Sequence, residues 1–286
     1  MRCTFCDGSL RFAFRRSGAT WDRCEVCGAY LRTDRRTIES DVYDNSEFIH
    51  RIESSIGTQP NFKAYDEMAP LLREGSILEI GVGSGHLLAA AKARGRKVAG
   101  VEQSPRHREY VRQRWGIEVT EQLPAGAFNN IVSVNVFEHL ADPFQHLIEL
   151  RKLLSPSGRI CISTANADCL VATLCGRWWA MFKPPDHFSI PSASSLRMVA
   201  KRAQLTVERI WCSEYPLETP VGIAIAVRDR LKQTRAESPA HLVLNGNSMA
   251  TGRAQRIREL RAFNFVGSTF ARFMIANSIK AIFENR

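Results

Sequence analysis

Glu138 and His139 stand side by side in NVFEHLADP, the stretch from Asn135 to Pro143, after an apolar run and before a turn signal. A carboxylate beside an imidazole suits acid–base work, because histidine titrates near neutrality. It suits a divalent metal if more ligands converge. It also suits plain hydrogen bonding that fixes a loop. His187 closes a second run, WWAMFKPPDH, from Trp178 to His187. Trp178, Trp179 and Phe182 there suit stacking on a ring or a sugar face, although large aromatics more often serve as packing. On these grounds His139 and His187 are equal candidates for a base, with Glu138 beside them.

Four cysteines form a second group. Cys3 and Cys6 make one C-x-x-C pair, Cys24 and Cys27 another, with 17 residues between the pairs. That spacing suits a four-cysteine zinc site. Gly8 and Gly28 follow the pairs closely, as tight turns require, and LRFAFRR and TWDRC between them read as hairpin strands. Four sulfur ligands fill a tetrahedral ion, so the site is structural rather than catalytic. A disulfide framework or a redox motif is disfavoured. MRCTFCDGSL carries no apolar leader, and no βαβ pattern surrounds the cysteines. The expected setting is cytoplasmic. Cys161, Cys169, Cys175 and Cys212 stand singly among apolar residues and read as small buried hydrophobes. Arg11, Arg15, Arg16 and Arg23 suit nucleic-acid contact by the ribbon; packing on a catalytic domain, or over its cleft, is equally consistent.

The third group is SILEIGVGSGHLLAAA, from Ser76. Ile77, Leu78 and Ile80 make a short buried strand, Gly81, Gly83 and Gly85 a turn of close backbone approach, and His86 onward a helix start. A strand, a glycine turn and a helix N-terminus form a nucleotide site. KVAGVE, from Lys97, is a second strand ending in Glu102, well placed to accept two ribose hydroxyls. The pattern is G-x-G-x-G, with His86 where a dinucleotide fingerprint has its third glycine, so the residues alone leave a nicotinamide cofactor open.

These motifs need a framework. The 286 residues are 44% hydrophobic, enough for one large domain and an appendage. The run EIGVGSG from Glu79 to Gly85, with Glu102 ending the next strand, resembles the cofactor motif of class I S-adenosylmethionine-dependent methyltransferases. FNNIVSVNVFEHLADP from Phe128 resembles their fourth strand and its exit, LLSPSGRICISTAN from Leu153 their fifth, and PDHFSIPSASSL from Pro185 the approach to their next helix. The resemblance covers about residues 62 to 215. It implies an α/β fold: a Rossmann-like, doubly wound, mainly parallel sheet. It also implies methyl transfer from S-adenosylmethionine. Carried over residue by residue, it implies that Gly81, Gly83 and Gly85 face the methionine part of the cofactor, with Glu79 also among the cofactor-binding residues. Glu102 would bind the ribose, Gln103 would lie near the adenine, and Asn135 would border the site. EQLP, from Glu121, would stand near the adenine amine. Some ubiquinone-pathway O-methyltransferases, which are similar here, use an E-x-x-E-H cluster. This chain has an amide, Asn135, at the first position, which argues against a divalent metal.

The expected domains are a zinc ribbon over 1–31, a helical linker over 32–72, the cofactor-binding domain over 73–215 and a helical extension over 216–286. Helical spacing runs through SEFIHRIESSI from Ser46 and NFKAYDEMAPLLREG from Asn61. It recurs in PVGIAIAVRDRLK from Pro220, RAQRIRELRAF from Arg253 and FARFMIANSIKAIF from Phe270. No clear final antiparallel strand is visible. Phe263, Phe265, Phe270, Phe273, Ile275, Ile279 and Phe283 among arginines read as a helical cap, or as a surface for anionic lipid or a lipid-linked substrate. No apolar run is long enough to span a membrane.

The net charge of +10 suits a polyanionic partner without naming one. The resemblance leaves two acceptors. One is a hydroxyl on a small molecule, such as a saccharide or a lipid-linked precursor; some sugar methyltransferases similarly carry a zinc domain. The other is RNA, gripped by the ribbon, although NVFEHL replaces the N/D-P-P-Y/F motif of base-modifying enzymes. A binding module without catalysis fits poorly with an intact glycine loop.

Overall fold

A computed structural model describes residues 1–34, 66–182, 186–213, 224, 227–228, 231 and 278–285. The ribbon opens with two antiparallel strands, β1 (Leu10–Arg16) and β2 (Ala19–Cys24). They are joined at Ser17 and Gly18, both at positive φ (50° and 76°), the geometry that matches strand twist in a tight hairpin. A third strand, β3 (Tyr30–Arg32), pairs with β2. The expected hairpin is present, and Trp21 is buried on its inner face.

The main sheet begins with β4 (Ile77–Ile80), buried at all four positions. It continues through α1 (His86–Ala93), β5 (Val98–Val101), α2 (Pro105–Trp115), β6 (Val119–Thr120) and β7 (Phe128–Val134). Then come α3 (Pro143–Lys152), β8 (Leu154–Ala165), α4 (Leu170–Cys175), β9 (Ser189–Ile190), α5 (Ala193–Arg202), β10 (Leu205–Ser213) and β11 (Ser278–Asn285). Helix starts are well signalled. Ser104 accepts from the His107 N–H before Pro105, Asp142 accepts from the Gln145 N–H before Pro143, and Ser192 forms a capping box with Ser195.

The seven-stranded sheet has the order β10-β11-β8-β7-β4-β5-β6. Strands β6, β5, β4, β7 and β8 run parallel, and β11 is antiparallel to both neighbours. Successive strand residues serve opposite faces. Ile160 and Ile162 join Leu147, Leu150, Leu196 and Val199 on one side. Cys161 joins Val132, Leu88 and Val111 on the other. Both faces are covered, as a doubly wound parallel sheet demands.

The C-terminal expectation needs correction. Ser278 to Phe283, read as the end of a helix, belong to a strand, Ser278–Asn285, inside the main sheet, so the sheet draws on residues beyond 215. Ile279, Ala281 and Phe283 pack on one face and Ile282 on the other. A short segment apolar on both faces has no periodicity that separates strand from helix. Lys280 is fully buried, and its ammonium meets Glu67 at 2.7 Å. Ile279 and Phe283 therefore cannot form a lipid-facing surface. Within the segment from Pro220, Ala224, Val227, Arg228 and Leu231 are helical. The expected helices from Ser46 and Arg253 lie outside the described residues, as do Phe263 to Ile275. Residues 66–71 are helical, as expected for the end of the linker. No helix among the described residues is long and apolar enough to cross a membrane.

The ribbon is not a separate appendage. Its β3 pairs antiparallel with β9, Tyr30 against Ile190 and Leu31 against Ser189, so a strand of the main domain completes a four-stranded ribbon sheet. Because Phe283 is fully buried in the sheet core, Phe283→Ala should cost about 3–5 kcal/mol of stability in urea unfolding. An unchanged midpoint would remove β11 from the core.

Candidate active site

The cofactor side is built at the carboxyl ends of β4 and β5, where open α/β sheets take ligands. Gly81, Gly83 and Gly85 all have left-handed φ, but each for a different reason. A Cβ on Gly81 would lie 2.3 Å from Val136 Cγ2, and one on Gly85 would press on Val111 and Trp115 of α2 at 3.0 Å. Among the described residues, a Cβ on Gly83 would meet nothing within 4 Å. Of the three glycines, Gly83 alone is free of described neighbours on that side, as a ligand cradle requires. The Trp115 indole N–H bonds the Ser84 carbonyl at 2.8 Å and fixes the far side of the loop.

Glu102 binds this loop directly. One carboxylate oxygen accepts from the Gly83 N–H at 3.0 Å, the other from the Ser104 N–H at 3.0 Å. Burial alone would raise its pKa. The His107 imidazole, 3.9 Å away, and the bonds from these two N–H groups outweigh that and hold the carboxyl below the usual range. Glu102 is thus an ionised acceptor with lone pairs to spare. Arg108 clasps the Glu102 and Gln103 carbonyls, each at 2.7 Å, and leaves the Gln103 side chain exposed at the rim. Glu79 is buried at 1% exposure beneath the loop. An ionised acceptor at a strand end and an open glycine cradle fit an adenosyl cofactor.

Asn135 has its own explanation. It is exposed, with φ at 53°, a conformation asparagine tolerates better than most side chains. The left-handed residue ends β7 and turns Val136 onto Gly81.

Beyond it, Glu138, His139 and His187 converge, with one ligand atom from each within 4.8 Å of the others. Glu138 is buried and accepts from the Thr164 hydroxyl at 2.7 Å. The imidazoles of His139 and His187 meet edge to face, centroids 4.8 Å apart. Spacing alone made them equal candidates, but the structure separates them. His139 Nδ1 lies 3.1 Å from the Asp186 carboxylate and 3.0 Å from the Asp186 carbonyl. Burial disfavours its charge, yet the Asp186 bond and the Glu138 field raise its pKa above the ordinary value. His187 Nδ1 bonds the Met181 carbonyl at 2.7 Å, and burial lowers its pKa. Asp186 is ionised, since its bond to His139 outweighs its own burial. Sequence reading missed Asp186 and Thr164. Asp186 directly precedes His187, but nothing local ties it to His139 across 47 positions. The metal argument also changes: His187 brings a third ligand where Asn135 offered only an amide, so this cluster has the composition of a cation site as well as of a proton relay.

Trp179 and Phe182 are buried in packing, as large aromatics usually are. In the ribbon, the sulfurs of Cys3, Cys6, Cys24 and Cys27 lie within 4.8 Å of one another, with Cys3 3.6 Å from Cys27 and Cys6 3.4 Å from Cys24. The Gly8 and Cys27 N–H groups point at Cys6 and Cys24 sulfur, both at 3.4 Å. This donor set fits a zinc ion. Burial pushes Cys6 up to about 11, and the contact between Cys3 and Cys27 raises Cys27 while it lowers Cys3. Cys161 and Cys169 are buried as expected, whereas Cys175 and Cys212 are partly exposed.

The family described as "Methyltransferase domain" matches residues 51–210, more than half of the chain. An "Ubiquinone biosynthesis O-methyltransferase" of Cereibacter sphaeroides is 31% identical over 130 residues, 41% of this chain and 53% of that protein. A "tRNA U34 carboxymethyltransferase" of Cellvibrio japonicus is 29% identical over 134 residues, 41% of each chain. The matches thus span about half the length of these curated relatives. Among solved structures, a "SAM dependent methyltransferase" from Archaeoglobus fulgidus aligns with TM-score 0.52 and 17% identity, covering 84% of this chain and all of that one. "Cyclopropane synthase MmaA2" from Mycobacterium tuberculosis aligns with TM-score 0.53 and 15% identity, covering 88% and 100%. At these identities the structures speak for the fold.

Two measurements test the site. Gly83→Val places a side chain in the cradle and strains a left-handed backbone by roughly 1–3 kcal/mol. It should weaken S-adenosylmethionine binding at least about tenfold in calorimetry; retained affinity would move the cradle elsewhere. Elemental analysis of reduced protein should find about one zinc per chain, falling in Cys24→Ser. Metal-free wild-type protein would end the zinc assignment.

Proposed function

We propose an acceptor and a base for a chain that belongs to the methyltransferase-domain family and is an S-adenosylmethionine-dependent methyltransferase. The acceptor is a hydroxyl on a small molecule, of the saccharide or lipid-linked precursor class, and the base is His139. The observation that carries this reading is the Asp186–His139 contact of 3.1 Å at the carboxyl end of the parallel sheet. When bound, the cofactor supplies an electrophilic sulfonium methyl. The chain's own residues orient the acceptor and take its proton.

With Nδ1 of His139 on Asp186, the proton falls to Nε2. The Asp186 carboxylate and the nearby Glu138 then stabilise the imidazolium. A hydroxyl needs this help because it is a weak nucleophile until its proton is leaving. His187, held neutral by burial, serves as a wall beside that proton path. The buried Glu138, fixed by Thr164, sets the local field.

RNA is the second reading. Its support is the similarity to a tRNA-modifying enzyme, together with the basic charge of the chain. Incubation with methyl-labelled cofactor and cell extract, followed by separation into nucleic acid, lipid and water-soluble pools, decides between them. Label in the lipid or soluble pool is expected; label in RNA would overturn the small-acceptor reading.

The base assignment has its own test. His139 accepts a proton only when neutral, and its pKa is raised. Activity should therefore rise with pH through an inflection above the ordinary histidine value of about 6.5. Asp186→Asn removes the carboxylate that raises it, so the inflection should move down and kcat should fall. His139→Ala should lower kcat by about 10²–10⁴-fold with cofactor affinity intact. A pH profile unmoved by Asp186→Asn would clear His139 of the role.

A further inference from the structure

The segment that carries His187 is held at both ends by the ribbon. On its upstream side, the Phe182 ring lies among ribbon rings, 4.8 Å from Phe14, 5.1 Å from Trp21 and 5.0 Å from Tyr30. The carbonyl that fixes His187 Nδ1 belongs to the residue just before it, Met181. On the downstream side, the Phe188 carbonyl accepts from the Arg32 N–H of β3 at 2.8 Å, and the Phe188 N–H donates to the Glu138 carbonyl at 2.8 Å. Next come the two residues of β9, whose sheet partner is β3. Ser192 then donates its hydroxyl to the carbonyl of Cys27 at 2.5 Å. From the other knuckle, Phe5, between Cys3 and Cys6, packs on Phe137 beside Glu138 at 6.2 Å.

These contacts make one path from the cysteine cluster to the acceptor site, and it bypasses the glycine loop. The ribbon is too small to hold such geometry by its own core. Domains below about 40 residues generally need a metal or disulfides. A four-thiolate ion that folds its own knuckles therefore also holds what the knuckles carry.

We propose that the Cys3–Cys6–Cys24–Cys27 centre, with its metal, is a positioning element of the acceptor site. It fixes His187 against Glu138 and His139 and leaves the cofactor cradle independent. Phe182 and Phe188 are the positioning residues. The inference rests on the reading of Glu138, His139 and His187 as the acceptor side, but its primary test needs no turnover.

Hydrogen exchange is followed in the full chain, zinc-loaded and after zinc is removed under reducing conditions, with cofactor affinity measured on both. Amides of Arg32 and of Phe188 to Ile190 should exchange at least tenfold faster without zinc. Amides of β4 and β7 should keep their protection, cofactor affinity should stay within twofold, and returning zinc should restore the slow exchange. Phe182→Ala, measured with zinc retained, should speed exchange at Phe188 to Ile190 and lower kcat without changing the KM for cofactor. Unchanged exchange at Phe188 to Ile190 on zinc loss would overturn the proposal. So would loss of cofactor binding together with zinc, because the ribbon would then support the whole fold rather than one side of the site. If no pool accepts a methyl group, the acceptor reading fails while the exchange result still judges this one.

Discussion

The Phe188 backbone ties the ribbon to the loop that leaves β7. The Phe188 carbonyl bonds the ribbon and its N–H bonds the Glu138 carbonyl, so neither Glu138 nor the neighbouring His187 is placed by the main sheet alone. Backbone groups are obligatory partners when buried, and a residue that serves two elements with its only donor and its acceptor leaves little freedom to either. A second interlock lies opposite. Val136 fills the space over Gly81, so the loop leaving β7 and the loop leaving β4 fit against each other. The left-handed turn at Asn135 makes that fit possible. The glycine loop and the Glu138–His139–His187 cluster thus share a wall but have separate anchors: α2 and Trp115 for the first, the ribbon for the second.

The electrostatics follow the same division. The chain is strongly basic overall, yet the candidate site holds three acidic side chains, Glu102, Glu138 and Asp186. Glu102 accepts from two backbone N–H groups and stays ionised. Asp186 is spent on His139, while Glu138 accepts from a threonine. Two histidines in ring contact are driven apart, one raised by its carboxylate and the other lowered by burial. Neighbouring titratable groups pushed in opposite directions are a common means of assigning acid–base roles in a site.

Much of this was legible in residue order. The glycine loop and Glu102 announce themselves because strand, turn and helix start are contiguous. The cysteine pairs do so because the knuckle is a local structure with fixed spacing. What was hidden is what the fold assembles from afar. Asp186 meets His139 across a long excursion of chain, and no local pattern encodes that meeting. The role of Asn135 was obscured differently: its amide looked like a lost ligand, whereas its backbone conformation accounts for it. The ribbon's closeness to the site depended on β9, two residues long, which no periodicity can reveal. Strand β11 failed for the opposite reason. Its apolar residues face both ways, and its lysine, buried on Glu67, reads from sequence as a solvent-facing charge.

The place of β11 governs how the molecule is made. It enters between β8 and β10, two strands that precede it in the chain. During synthesis the ribbon, the cofactor loop and six strands of the main sheet emerge first. The open edge of β8 then carries unpaired donors and acceptors until residues 278–285 arrive. An edge of that kind is a template for other chains, and closing it requires contacts distant in sequence, which form slowly. A nascent chain halted before Ser278 therefore exposes an unpaired β8 edge in the middle of what becomes the sheet.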